Sequence, residues 1–202
     1  NFSLSGLLGS DLYGKTVGVI GTGNIGRVFC TIMKGLGCNV VAYDPHPHPE
    51  VEALKIPYVT LPDLFTQSDI ISLHCPLMPA TQYIINSHSI GQMKKGVMLI
   101  NTSRGALIDT HATINGLKKG KIGALGIDVY EQEENIFFQN LSEEIIQDDT
   151  IARLMSFPNV LITAHQGFFT QEALDQIAIT TLSNVLDFSE GKPLSNEVTK
   201  ST

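Results

Sequence analysis

Short runs in which nearly every residue is apolar recur along this chain. The runs span 16–20, 39–43, 69–74, 97–101, 122–129 and 159–164. Strands that are apolar on both faces are typical of a parallel sheet that helices cover on both sides. The sequence therefore predicts the α/β class, with a doubly wound parallel sheet and helices on both faces.

Segments with the periodicity of a helix lie between these runs and after the last one. Helices are predicted at 24–37, 61–67, 87–94, 110–118, 148–155 and 170–188. In the first of them, apolar residues recur at the spacing of one helix face, which is typical of a helix that buries one side. These residues are Ile25, Val28, Phe29, Ile32, Met33 and Leu36.

The glycines of "GTGNIG" stand between the first predicted strand and the first predicted helix. In that context Gly21 permits a tight turn, Gly23 lets a pyrophosphate approach the backbone, and Gly26 lets helix and strand pack closely. The amides of Asn24 and Ile25 open the helix, where the helix dipole favours phosphate. This arrangement predicts a dinucleotide site in a Rossmann-type sheet.

An acidic residue ends the second predicted strand. Asp44 lies about 20 residues beyond the glycines, where a carboxylate bonds the ribose hydroxyls of the adenosine. A carboxylate there repels a 2′-phosphate, and no Arg or Lys occurs in the following "PHPHPEVE". The predicted cofactor is therefore NAD rather than NADP. His46 and His48 resemble a metal pair, but a solvated, proline-rich loop is the preferred interpretation, and no metal site is predicted.

Composition narrows the class of partner. The residues are 43% hydrophobic and 16% charged, which is enough to bury a core. The net charge of −7 argues against nucleic acid, and we find neither an 18-residue apolar run nor a signal-peptide pattern. The three cysteines fit reduced thiols. We therefore expect a cytoplasmic protein without a membrane partner. Residues 1–15, loop-like and without an initial Met, read as a linker from a longer polypeptide.

Chemically capable side chains follow the predicted strands, at the sheet edge where ligands of open α/β sheets bind. These residues are His74, Cys75, Pro76, Thr102, Ser103, Arg104, Asp128, Glu131, Glu133, Glu134 and His165. Hydride transfer to a keto acid needs a cation for the carboxylate, a proton donor for the new alkoxide, and a carboxylate that supports the donor. Arg104 fits the first role. The residues alone leave the acid open between His74 and His165, and leave the carboxylate open among the four acidic residues.

The motifs "GTGNIG", "YDP", "SLHCPLMPAT", "INTSRGALID", "LGIDVYEQEE" and "TAHQGFFT" occur in this order. Over nearly all of 10–190 the chain resembles the D-isomer-specific 2-hydroxyacid dehydrogenases. The long segment with "FF" and "IIQDD" is similar to their fermentative D-lactate dehydrogenase branch. The resemblance implies Arg104, Glu133 and His165 as catalytic residues, and Arg104 and Phe168 as substrate-binding residues. Asp128 would bond the nicotinamide carboxamide. Further cofactor-lining residues would be Gly21, Gly23, Asn24, Ile25, Gly26, Asp44, Cys75, Pro76, Thr81, Thr102, Ser103, Arg104 and His165.

The resemblance also implies a domain organisation and an activity. Residues 16–165 would form the NAD-binding domain, and 166–202 a C-terminal helix that returns to an N-terminal substrate domain absent from this chain. The expected activity is reduction of pyruvate to D-lactate by NADH, with poor activity for this piece alone. Alternatives are a 2-hydroxyisocaproate-type dehydrogenase and a non-catalytic, NAD-sensing, corepressor-like module. A homodimer through the cofactor domain is expected.

Overall fold

The computed structural model of this chain describes residues 9–132 and 148–198. The strands are β1 (Thr16–Ile20), β2 (Asn39–Tyr43), β3 (Ile70–Leu73), β4 (Val97–Asn101), β5 (Ile122–Ile127) and β6 (Val160–Ile162). The helices are α1 (Asn24–Gly35), α2 (Pro49–Ala53), α3 (Leu61–Gln67), α4 (Ser87–Gln92), α5 (Thr110–Lys118), α6 (Asp149–Met155) and α7 (Gln171–Ser189). Each predicted strand and each predicted helix is confirmed, although several end earlier than expected.

The six strands form one parallel sheet in the order β2-β1-β3-β4-β5-β6. The chain adds β2 on one side of β1 and then crosses to add β3 on the other side. The loops after β1 and β3 therefore diverge and leave a crevice at the carboxyl edge, which is where such sheets bind ligands. This topology confirms the predicted Rossmann-type α/β fold.

Helices cover both faces of the sheet, as the apolar strands predicted. On one face Val17 and Val19 of β1 belong to an apolar cluster with Cys30 of α1. On the other face Ile20 belongs to a second cluster, which includes Leu64 of α3. Consecutive strand residues alternate between these two cores, so burial on both sides explains why the strands lack polar positions.

The face that α1 buries agrees only in part with the predicted one, since Met33 is buried as predicted and Phe29 is half-buried. The sheet covers Gly26, Cys30 and Met33. Four residues of the predicted face are instead between 49% and 70% exposed, namely Ile25, Val28, Ile32 and Leu36. The physical reason is size, because α1 lies so close to the β1 turn that only a small residue fits at Gly26. We call the four exposed residues the α1 stripe.

The proline-rich stretch after β2 is not only loop. Pro49 begins α2, and the His48 ring nitrogen accepts a hydrogen bond from the Glu50 amide at 3.3 Å. Proline fits the first turn of a helix because it lacks an amide hydrogen. His46 is exposed, as expected for a solvated loop. His48, which also lies in the loop, is half-buried and so is less solvated than expected.

The chain divides into two compact units, Asn1–Ala164 and His165–Thr202. The second unit contains α7, whose first turn is capped by the Thr170 hydroxyl. None of the residues of α7 is buried, and its exposed apolar residues include Ile177, Leu182 and Val185. Within the described ranges, no helix combines the length and the apolar character that crossing a membrane requires.

Candidate active site

The turn after β1 lies directly against the loop after β3. Gly21 has φ +94°, and its amide donates to the Tyr43 carbonyl at 2.8 Å. A Cβ at Gly21 would lie 2.5 Å from the Cys75 amide nitrogen. Both the backbone conformation and the space therefore require glycine. The crevice at the switch point is consequently narrow at its base.

The other two glycines leave the start of α1 open. A Cβ at Gly26 would lie 1.9 Å from the Gly21 carbonyl oxygen, so α1 packs directly on the turn. At Gly23, by contrast, a Cβ would meet no described atom within 4 Å. No side chain of the described residues caps α1, so the amides of Asn24 and Ile25 remain for a ligand. These features fit a pyrophosphate at this helix N-terminus.

Asp44 is fixed beside the glycine turn. Its Oδ2 accepts from the Thr22 amide at 2.7 Å and from the Thr22 hydroxyl at 3.2 Å, and its Oδ1 accepts from the His46 amide at 2.9 Å. Tyr58 donates its hydroxyl to Thr22 Oγ1 at 2.9 Å. Hydrogen bonds therefore hold the Asp44 carboxylate in one orientation at the end of β2.

Arg27 lies in the same region, and sequence reasoning missed it. Its guanidinium Nη1 is 3.0 Å from His48 Nε2, and its Nε is 3.5 Å from a Glu50 carboxylate oxygen. The sequence argument considered only the residues that follow Asp44. Arg27 follows "GTGNIG" directly and lies in the first turns of α1, and this position could have indicated that it lies near the cofactor site. Glu50 partly neutralises this cation, which limits its attraction for a 2′-phosphate.

The surroundings of His74 do not suit a residue that donates a proton near pH 7. Ser72 Oγ lies 2.9 Å from His74 Nε2, and the Phe29 ring lies 4.8 Å from the imidazole, centroid to centroid. Burial lowers the pKa of His74 to about 4. His74 is therefore neutral near pH 7 and is a poor proton donor there, so it fits a packing residue behind the glycine turn.

Hydrogen bonds tie the loop after β3 to the loop after β4. Ser103 donates its hydroxyl to the Cys75 carbonyl at 2.7 Å, and Thr81 donates to the Pro76 carbonyl at 2.7 Å. Burial raises the pKa of the Cys75 thiol to about 11, so this thiol is neutral at pH 7. Cys75 thus contributes its backbone and an uncharged surface to the crevice.

Arg104 projects from a loop that the buried Asn101 holds. The Asn101 side chain donates to the Arg104 carbonyl at 2.9 Å and accepts from the Ser103 amide at 3.1 Å. Arg104 and Thr102 are exposed, and the guanidinium donates to the Ser103 carbonyl at 2.7 Å. No carboxylate of the described residues pairs with Arg104. The backbone of Arg104 is therefore held in place, while its exposed guanidinium can bind an anion.

Two acidic residues after β5 have fixed surroundings. Asp128 is buried, its amide donates to the Asn101 carbonyl at 3.0 Å, and its Oδ1 accepts from the Thr163 hydroxyl at 2.5 Å. Glu131 accepts from Tyr83 and Thr110, one hydroxyl at each oxygen. Glu133 and Glu134 lie outside the described residues. The structure therefore brings Asp128 beside the Arg104 loop and gives Glu131 two hydroxyl partners.

His165 and Phe168 belong to the second unit. His165 has φ +50°, a conformation that non-glycine residues seldom adopt. Phe168 packs edge to face on Phe169, with ring centroids 6.2 Å apart. The first unit thus assembles the glycine turn, Asp44 and the loops of Cys75, Arg104 and Asp128, while the predicted His165 and Phe168 stand together at the start of the second.

Comparisons with known proteins agree with the parallel-sheet fold. The family model described as "D-isomer specific 2-hydroxyacid dehydrogenase, NAD binding domain" matches residues 2–167. A 2-hydroxyacid dehydrogenase homolog of Haemophilus influenzae is 53% identical, over 98% of this chain and 60% of its own length. The D-lactate dehydrogenase of Escherichia coli is 52% identical, with the same two coverages.

Solved structures give the same result. A structure of the pyruvate reductase of Chlamydomonas reinhardtii is 50% identical, with a TM-score of 0.94, and the match covers 97% of this chain and 60% of that one. The apo D-lactate dehydrogenase of Escherichia coli is 49% identical with a TM-score of 0.88, over 98% of this chain and 59% of that one. The chain thus spans about 60% of the length of these relatives.

Proposed function

Because this chain belongs to the D-isomer-specific 2-hydroxyacid dehydrogenase family, as its NAD-binding domain, we propose that its complete polypeptide reduces pyruvate to D-lactate with NADH. The observation that carries the proposal is the exposed guanidinium of Arg104. It stands on a loop anchored to Cys75, beside the crevice of the glycine turn. A cation at that point suits a small carboxylate next to a nicotinamide.

Each residue of the first unit would have a distinct part in this reaction. The amides of Asn24 and Ile25 would hold the pyrophosphate, Asp44 the adenosine ribose, and Asp128 the nicotinamide carboxamide. When bound, NADH supplies the hydride. Arg104 would grip the pyruvate carboxylate through two parallel N–H donors and polarise the carbonyl.

The proton would come from the second unit. We assign His165 as the acid that gives its proton to the carbonyl oxygen, as the resemblance to the family implies. The half-buried His74 is neutral near pH 7, which agrees with this assignment. Glu133 would support and orient the protonated imidazole. Phe168 would bound the substrate pocket on one side. His165 would also lie beside the nicotinamide, since the oxygen that takes its proton is bonded to the carbon that accepts the hydride.

The length of the relatives supports the proposed organisation. Residues 16–165 would form the cofactor domain, 1–15 a linker from an N-terminal substrate domain, and 166–202 the helix that returns to it. The exposed apolar residues of α7 are those that such a return would cover.

We also propose that the protein is cytoplasmic and has no membrane or nucleic-acid partner, because its net charge is negative and its three cysteines fit reduced thiols. A membrane-bound fraction of the protein in cell extracts would contradict this.

Kinetics of the complete polypeptide test the activity. We expect NADH-dependent turnover of pyruvate with a higher kcat/KM than that of 2-ketoisocaproate, and D-lactate as the product on a chiral column. A preference for 2-ketoisocaproate would assign the 2-hydroxyisocaproate type instead. NADH binding without turnover of either acid would favour the non-catalytic, NAD-sensing module.

We further propose a homodimer through the cofactor domain. The α1 stripe supports the homodimer, because its four exposed apolar side chains lie on one helix and burying them against a partner removes apolar surface from water. A second copy of the same helix, related by a two-fold axis, would present a matching surface. Sedimentation equilibrium should give twice the mass of the complete polypeptide, and a monomer at micromolar concentration would contradict the proposal.

A further inference from the structure

A carboxylate outside the proposed catalytic set joins three separate segments of the chain. Glu131 Oε1 accepts from the Tyr83 hydroxyl at 2.5 Å, and Oε2 accepts from the Thr110 hydroxyl at 2.8 Å. Tyr83 precedes α4, Thr110 is the first residue of α5, and Glu131 follows β5. We call these three residues the clamp. Hydrogen bonds to an ionised acceptor are shorter and stronger than neutral ones, so each bond resists separation of its segments.

The backbone of Tyr83 is held in an unusual conformation at this point. Its φ is +50°, which costs energy for a residue with a bulky side chain. Its amide donates to the Ala106 carbonyl at 2.9 Å, two residues beyond Arg104. Tyr83 therefore contacts the Arg104 loop through its backbone and Glu131 through its hydroxyl. Such a conformation persists only where the surroundings hold it.

The backbone of Glu131 also packs closely against the loop that carries Arg104. A Cβ at Gly105 would lie 2.1 Å from the Tyr130 carbonyl carbon and 2.4 Å from the Glu131 amide nitrogen. The residue next to Arg104 is thus in direct backbone contact with the clamp. A displacement of Glu131 by a fraction of an ångström must move Gly105, because close-packed backbone does not compress.

The geometry points to a positioning role: we propose that Tyr83, Thr110 and Glu131 fix the Arg104 loop at the position from which its guanidinium binds the substrate carboxylate. This inference rests on the proposed function of Arg104. The supporting carboxylate in this account is Glu133, and Glu131 has a positioning role, because each of its oxygens accepts a hydrogen bond from a different segment. The same hydrogen bond raises the pKa of Tyr83, because the carboxylate opposes ionisation of the phenol.

The test uses the complete polypeptide with Tyr83→Phe, Thr110→Val and the double variant. We expect KM for pyruvate to rise about tenfold in each single variant and further in the double variant, with NADH affinity unchanged. Thr60→Val is the matched control. Its hydroxyl donates to the Asp63 carboxylate at 2.6 Å at the start of α3, a bond of the same kind outside the clamp, so KM should not change.

Two results would overturn the proposed role of the clamp. One is an unchanged KM for pyruvate in the double variant. The other is a parallel loss of NADH affinity and thermal stability in the same variant, which indicates general unfolding. Amide hydrogen exchange separates this failure from failure of the proposed function. If the wild type does not reduce pyruvate, the clamp still requires faster exchange at residues 102–106 in the double variant, with unchanged exchange in the glycine turn. Unchanged exchange at 102–106 would overturn the clamp in that case.

Discussion

Arg104→Gln in the complete polypeptide is expected to lower kcat/KM for pyruvate by about 10²- to 10³-fold, while NADH affinity stays within about twofold. Removing one preorganised donor to a developing charge costs roughly 3–4 kcal/mol of transition-state stabilisation. Glutamine keeps a polar side chain but is shorter, and it loses the charge and the paired donors. NADH affinity should persist because the amides of α1 and Asp44 are untouched. Steady-state kinetics and a fluorescence titration measure the two quantities.

A second arginine provides the control for this substitution. Arg153 on α6 is exposed and lies 5.3 Å from the centre of the Phe157 ring. Arg153→Gln removes the same charge from the protein without touching the crevice, so pyruvate kinetics should remain within about twofold. Normal pyruvate kinetics in Arg104→Gln would remove Arg104 from the mechanism. An equal loss in both variants would indicate a long-range effect of net charge.

His165→Gln is expected to lower kcat by about 10²- to 10⁴-fold, because a positioned acid contributes that much to proton transfer. NADH affinity should change much less, since glutamine retains a hydrogen-bonding side chain. His88→Gln is the matched control, since His88 lies exposed on α4 and its ring contacts Gln92 at 3.1 Å.

The turnover of His165→Gln distinguishes between His165 and another group, such as His74, as the proton donor. If His165→Gln kept nearly full turnover, another group would have to supply the proton. His74 would then need testing, although its burial keeps the imidazole neutral near pH 7. Restoration of turnover in His165→Gln by added imidazole would support direct proton transfer at this position.

The strands and the cofactor turn were predictable because their signals are local. A buried parallel strand needs apolar residues at every position, and the glycine turn needs residues without a side chain. The face of α1 was not predictable from apolar spacing. Spacing favours large apolar residues for the core, whereas the start of α1 lies so close to the β1 turn that only glycine fits at position 26, and this sets which face is buried.

The side-chain network of the site could not be predicted in the same way. Tyr83 and Glu131 are 48 residues apart, and nothing in either segment indicates the other. The sequence placed His74 at the correct sheet edge, but its burial depends on Phe29 and Ser72 from two different elements. Positions at strand ends were thus predictable, whereas the contacts that separate a catalytic from a packing residue depend on the tertiary fold.

A fluorescence titration of this chain with NADH, and with NADPH beside it, tests the central claim most directly. The claim is that the open start of α1 and the fixed carboxylate of Asp44 form an NAD site. We expect saturable NADH binding and NADPH binding at least about tenfold weaker, because Asp44 repels the 2′-phosphate. Asp44→Ala should narrow that difference. Absence of saturable NADH binding, or equal affinity for the two cofactors, would contradict the account.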